Sequence, residues 1–121
     1  DCLKVLLVAS EAAPFIKSGG LGDVAGSLPK ALRAQGVDVR VVIPRYMTVK
    51  EKEMYGVEYL GEFPVHLLWR TQQAKILVKP SEIPIYFIEN NFYFGRGGLY
   101  GYGDDNERFA FFGRLVLSAC I

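Results

Sequence analysis

The chain has 121 residues, 50% of them hydrophobic and 13% aromatic, with 14 basic side chains against 13 acidic ones. That length suits one domain whose core needs no disulfides, and it excludes disorder for the bulk of the chain. A net charge of +1 lacks the basic excess that nucleic acid or an acidic lipid surface demands. No apolar run approaches the roughly 20 residues of a membrane span.

Cys2 and Cys120 lie at opposite ends without CxxC or Cys/His spacing, so they read as two free thiols of a reducing compartment, and a cytoplasmic setting is expected. Residues 3–9 form a short apolar run, the pattern of a strand buried on both faces of a parallel sheet. A loop with Pro14 and the cluster Gly19, Gly20 and Gly22 follows. From Leu21, the apolar positions Leu21, Val24, Ala25, Leu28 and Leu32 keep helical spacing, Pro29 predicts a local kink, and Gly36 is a natural stop. Residues 37–43 read as a second buried strand ended by Pro44. Strand, helix and strand in this order predict a parallel βαβ unit with a right-handed crossover.

Strands are expected at 59–69, 74–78 and 84–88, the first two able to pair as a hairpin beside the parallel sheet. Residues 90–103 read as a loop of glycines and aromatics. Asp104, Asp105 and Asn106 then offer an N-cap to a last helix from about Glu107. That helix carries Phe109, Ala110, Phe111, Phe112, Leu115, Val116, Leu117 and Ala119, so little polar face is left and cover on every side is expected. The chain is accordingly expected to stop within a domain.

In a doubly wound sheet the ligand crevice lies beyond the C-terminal strand ends, which directs attention to Ser10 and Glu11, to Arg45 and Tyr46, and to the aromatic loop. Between the first strand and the helix stands Lys17-Ser18-Gly19-Gly20-Leu21-Gly22-Asp23-Val24. Glycines admit close backbone approach, a helix start offers N–H groups and a favourable dipole to anions, and Lys17 adds a cation. Phosphate or pyrophosphate is the natural ligand. A P-loop is excluded, because its lysine follows the glycines instead of preceding them. Gly20-Leu21-Gly22-Asp23-Val24-Ala25 satisfies the dinucleotide fingerprint in letters only: a ten-residue loop separates it from its strand, and the second strand ends at Pro44-Arg45 without an acidic residue. A nicotinamide-dependent oxidoreductase is therefore disfavoured, and a non-catalytic binding module is the other alternative.

Ser10-Glu11, the block from Lys17 to Val24, Leu28-Pro29, Val42-Ile43-Pro44-Arg45-Tyr46, Tyr86-Phe87-Ile88-Glu89 with Tyr100 in the loop beyond, and Arg108-Phe109-Ala110-Phe111-Phe112 together resemble the amino-terminal part of bacterial glycogen synthases and plant starch synthases. These are the retaining glucosyltransferases of glycosyltransferase family 5. The resemblance runs through the chain in register and is least diagnostic over 48–80; Ser18 stands where Thr is commoner in the family.

The resemblance implies an α/β fold, the Rossmann-like parallel-sheet sandwich that forms the N-terminal part of a GT-B enzyme. Residues 1–121 would be an incomplete acceptor-side domain, with the nucleotide-binding domain and the active-site His beyond Ile121. It also implies transfer of glucose from ADP-glucose to the non-reducing 4-OH of an α-1,4-glucan, glycogen or starch, without a metal or other cofactor, in the cytoplasm or, for a plant source, the plastid stroma. Lys17, Gly19 and Gly20 would face the donor's diphosphate and glucose, helped by the helix start at Gly22 and Asp23, and Tyr100 would line the cleft near the donor.

On the residues alone, Asp23 either caps the helix or contacts sugar, and Glu11 either hydrogen-bonds sugar hydroxyls or ties down the loop. Arg45 is a cleft cation or a partner of Glu11 or Asp23. Tyr93, Tyr100 and Tyr102 offer faces suited to glucose, whereas Phe92 and Phe94 are assigned to packing. His66 reads as a strand side chain.

Overall fold

The computed structural model describes residues 3–67 and 69–119. Cys2 and Cys120, and with them the expectation of two free thiols, lie outside the described residues. The elements run β1 (Lys4–Val8), α1 (Gly20–Ala34), β2 (Asp38–Pro44), a short 3-10 turn at Glu51–Met54, β3 (Glu58–His66), β4 (Thr71–Lys79), β5 (Ile85–Glu89), α2 (Asn91–Phe94) and α3 (Asp105–Ala119). One sheet carries all five strands in the order β1-β2-β5-β4-β3. The first three are mutually parallel, Leu6 facing Arg40 and Ile43 facing Phe87. β4 joins β5 antiparallel, and β3 and β4 form the expected hairpin.

Helix α1 ends as its sequence dictates. Gly36 takes φ +85°, the Gly36 N–H donates to Arg33 O and the Val37 N–H to Leu32 O, which is a Schellman termination that a Cβ would strain. Pro29 is buried inside the helix and does not end it. Gly26 of α1 lies so close to the 11–17 segment that a Cβ would come 2.8 Å from Ala13 O. The core joins Val41, Ile43 and Phe87 of the parallel strands to Phe15 and Ala25, and Tyr46, Tyr93 and Phe94 to Phe111, Phe112, Leu115 and Val116 of α3.

Several sequence expectations are corrected. β1 is not buried on both faces: Leu6 and Val8 are exposed, and the strand alternates between open and half-buried positions. Strand β3 stops at His66 instead of running to 69, because the Leu67 N–H closes the hairpin on Arg70 O and β4 begins three residues earlier than the apolar run suggests. The helix α3 is not covered all round. Arg108, Phe111, Phe112, Leu115 and Val116 form its buried stripe, while Ala110, Arg114 and Leu117 face outward. The 90–103 loop contains one helical turn, α2, capped by the Asn90 side chain, which accepts the Tyr93 N–H at 2.9 Å.

Candidate functional site

At the C-terminal ends of the parallel strands, short connections cross-link the loops. The Ala9 N–H donates to Val42 O and the Arg45 N–H to Ile88 O, extending the parallel pairing past the strand ends. The Tyr46 hydroxyl donates to Ser10 O at 2.6 Å, and burial pushes that phenol well above its ordinary range. Arg45 is held by Glu89, Nη1 to Oε2 at 2.8 Å, so its partner is neither Glu11 nor Asp23. Where a dinucleotide fold would place an acidic ribose ligand, β2 is thus followed by an arginine already paired.

Glu11 is buried and its Oε2 accepts the Ser18 N–H, so of the two alternatives it fills the loop-tying one here. This bond holds the turn that carries Lys17 against the start of α1. Gly22 completes that seat: a Cβ there would collide with the Cβ of Lys17 and stand 3.1 Å from its Cα. Its N–H donates to Gly19 O, and its carbonyl accepts the Ala13 N–H. Gly22 is therefore a packing glycine, set behind the two that precede it.

Gly19 and Gly20 have no atom within 4 Å of where a Cβ would be, so both face open space. Gly19 occupies the N-cap position of α1 in extended backbone with no side-chain cap; its carbonyl takes the Gly22 N–H, which leaves the Gly20 and Leu21 N–H groups to solvent or to a ligand. Lys17 Nζ donates to Asp23 Oδ1 at 2.8 Å, both side chains being more than half exposed. Asp23 therefore neutralises Lys17 and does not cap the helix.

Tyr100 reaches the β1 end of the same connection, at Ser10. Its hydroxyl shares a 2.7 Å hydrogen bond with Ser10 Oγ, and its ring is partly open beside Phe109. Burial, together with the nearby Glu11 charge, raises the phenol above its ordinary range, and the Ser10 bond works the other way. Ser10, Tyr100, Asp105, Asn106 and Phe109 line an open pocket of about 390 Å³. Sequence reasoning brings Lys17, Gly19, Gly20 and Asp23 to one helix start, and the fold adds the closure of Ser10 on Tyr100 over ninety residues of chain.

The aromatic loop is organised differently from expectation. Tyr93 is fully buried, its hydroxyl bonded to the Glu107 carboxylate, so it offers no face to a sugar. Tyr102 is clasped between Arg96 and Arg108, with guanidinium carbons 4.9 and 4.8 Å from its ring centroid. Phe92 is half exposed between Arg70 and Arg96 instead of packed in the core, whereas Phe94 is fully buried as assigned. His66 is an exposed strand residue bonded to Thr71. Asp104 and Asp105 do not cap α3 with their side chains. Asp104 receives a two-pronged contact from Arg96, and Asp105 accepts the Gly101 and Tyr102 N–H groups behind it. The residue missed by sequence reasoning is Arg108. Its signal was present as a lone cation on the apolar stripe 108, 111, 112, 115 and 116.

Taken together, a parallel strand–helix–strand unit with an uncapped helix start, an adjacent lysine and an exposed tyrosine at the strand ends defines a Rossmann-like domain. Residues 4–121 match the starch synthase catalytic domain family, and the chain belongs to that family. It is 49% identical over 118 residues to a glycogen synthase of Clostridium acetobutylicum, a match that covers 97% of this chain and 25% of that protein. It is 53% identical over 116 residues to a glycogen synthase of Clostridium botulinum strain Eklund 17B, covering 95% and 24%. Among solved structures, the catalytic domain of starch synthase IV from Arabidopsis thaliana, bound to ADP and acarbose, superimposes with a TM-score of 0.87 at 32% identity, covering 97% of this chain and 25% of that one. The chain thus spans about a quarter of the length of the relatives it matches. None of the helices among the described residues is long and apolar enough to cross a membrane.

Proposed function

We propose that this chain is the acceptor-side, N-terminal part of a glucan synthase that transfers glucose from ADP-glucose, with retention, to the non-reducing 4-OH of an α-1,4-glucan. The family membership supports the reaction class, and one observation carries the assignment of the site. An uncapped helix start with open space at Gly19 and Gly20 lies beside Lys17 at the C-terminal end of the parallel strands. The Arabidopsis relative binds ADP, a diphosphate, which is the chemistry that such a helix start favours.

Lys17 enters this role from its ion pair with Asp23. An exposed pair of this kind is worth about 0–1 kcal/mol, whereas a hydrogen bond to a charged group is worth about 1.5–3 kcal/mol. An arriving diphosphate therefore draws the ammonium away from Asp23 at small cost. Departure of the nucleoside diphosphate leaves negative charge that Lys17 and the helix dipole stabilise, and the aromatic loop positions the acceptor hydroxyl. Gly22 supports this arrangement by packing, Glu11 by anchoring Ser18, and Tyr100 as the wall of the cleft. The nucleotide base and the remaining charge of the donor fall to a second, nucleotide-binding domain of the same enzyme, and residues 1–121 are the first part of the acceptor-side domain.

The test is Lys17→Ala in a full-length synthase carrying this segment. The expected result is a fall in kcat/KM for ADP-glucose of about one to two orders of magnitude, the range for losing a charge-assisted phosphate contact. An unchanged kcat/KM refutes the role. Binding of NAD(H) in competition with ADP-glucose would refute the reaction class, and so would retention of glycogen by a protein indifferent to ADP-glucose.

A further inference from the structure

We propose that Arg108 is a positioning residue for the donor site, acting through a clamp that holds the peptide groups on both sides of Tyr100. The inference rests on the synthase reading and extends it to a residue that touches neither substrate.

Arg108 is fully buried in the stripe of α3 that otherwise carries Phe111, Phe112, Leu115 and Val116. Its Nε donates to Tyr93 O at 2.7 Å, and its Nη1 donates to Leu99 O and to Asp105 Oδ1, each at 2.9 Å. The Asp105 carboxylate in turn accepts the Gly101 N–H at 2.9 Å and the Tyr102 N–H at 3.2 Å. The carbonyl before Tyr100 is thus held by the arginine and the N–H after it by the aspartate, and an ion pair joins the two holders. Gly101 adopts φ +93° between these anchors, the turn that lets Asp105 reach back to it.

Three rings fix the guanidinium itself: Tyr102, Phe109 and Phe94, with centroids at 4.8, 5.3 and 5.4 Å. Burying a charge is expensive unless its donors are matched, and Nη2 of Arg108 finds no hydrogen-bond partner among the described residues. An apolar side chain would fill the same stripe without that cost. What the arginine supplies instead is a planar fork that reaches three acceptors on α2, on the loop and on α3, and all three converge on the segment that brings Tyr100 to Ser10. Lysine offers one nitrogen and cannot span them.

Two readouts in a full-length synthase carrying this segment test the clamp. In a double-mutant cycle, Arg108→Lys is expected to lower kcat/KM for ADP-glucose about tenfold when Tyr100 is present, and to change it less than about twofold in the Tyr100→Ala background. Equal losses in both backgrounds would mean that Arg108 does not act through Tyr100, and would overturn the inference. Separately, 3-fluorotyrosine placed at position 100 is expected to give a 19F resonance that shifts or broadens with Arg108→Lys, while a label at the exposed Tyr55 stays put. An unmoved resonance at position 100 also overturns it. This second readout needs no transferase activity, so failure of the clamp and failure of the synthase reading are distinguishable. If Arg108→Lys does not fold, Asp105→Ala removes the other holder from its partly exposed side and carries the same two expectations.

Discussion

Gly22 has no room for a Cβ because the Lys17 side chain already occupies that space, its Cα only 3.1 Å from where the Gly22 Cβ would be. The lysine and the helix start it serves are therefore set by one packing contact, reinforced by the Glu11 carboxylate on the Ser18 N–H.

The glycines of this region are expected to divide into two groups on substitution by alanine. Gly22→Ala and Gly26→Ala force backbone or a near-backbone atom to move, a kind of overpacking that costs about 1–3 kcal/mol. Both should lower the thermal midpoint, and Gly22→Ala should also displace Lys17 and reduce donor use. Gly19→Ala and Gly20→Ala meet open space and ordinary backbone, so stability should hold while kcat/KM for ADP-glucose falls, because the added methyls stand where the diphosphate would approach. Thermal melts beside steady-state kinetics check this. Four variants with a common stability loss would remove the distinction between packing and donor-facing glycines.

The parallel half of the fold and the helix start were legible in the sequence because local chemistry writes them: the apolar runs, the Gly36 stop and the glycine block need no partner to be recognised. The antiparallel half was legible in existence but not in its limits. Thr71, Gln72 and Gln73 are polar, and only pairing with Val65, Pro64 and neighbours makes them strand. The site was half legible. Lys17 and Gly19 stand two positions apart in sequence, whereas the bond from Ser10 to Tyr100 and the grip of Arg108 on Leu99 and Asp105 depend on tertiary closure that periodicity does not encode. Asp104 and Asp105 misled for a related reason. Side chains with the right chemistry for a cap were claimed by Arg96 and by upstream N–H groups.

Asp23 should prove expendable for stability. It pairs with Lys17 in the open and caps nothing, so Asp23→Asn is expected to cost less than about 1 kcal/mol, most of that through the helix dipole. The residual effect should shrink further as salt rises from 0.05 to about 0.5 M, since exposed charges are screened. Chemical denaturation at two ionic strengths decides it. A salt-insensitive loss well above 1 kcal/mol would restore the capping role.

The aromatic loop should be the acid-labile part of the domain. The Arg96 guanidinium holds the Asp104 carboxyl below the usual carboxylate range, and the Gly101 N–H, with help from Arg108, does the same for Asp105. A group whose pKa is depressed by folding stabilises the fold above its unfolded value, near 4, and that contribution is lost as pH falls through the lower folded value. Between about pH 4 and pH 2, amide exchange corrected for its intrinsic rate should therefore rise over residues 96–105 before it rises over β2, whose core rests on apolar contacts. Asp104→Asn, which is neutral at every pH, should show the faster loop exchange already at pH 7 and a flatter acid response. Simultaneous opening of the loop and β2, or an unchanged acid profile in the variant, would show that these carboxylates do not hold the loop.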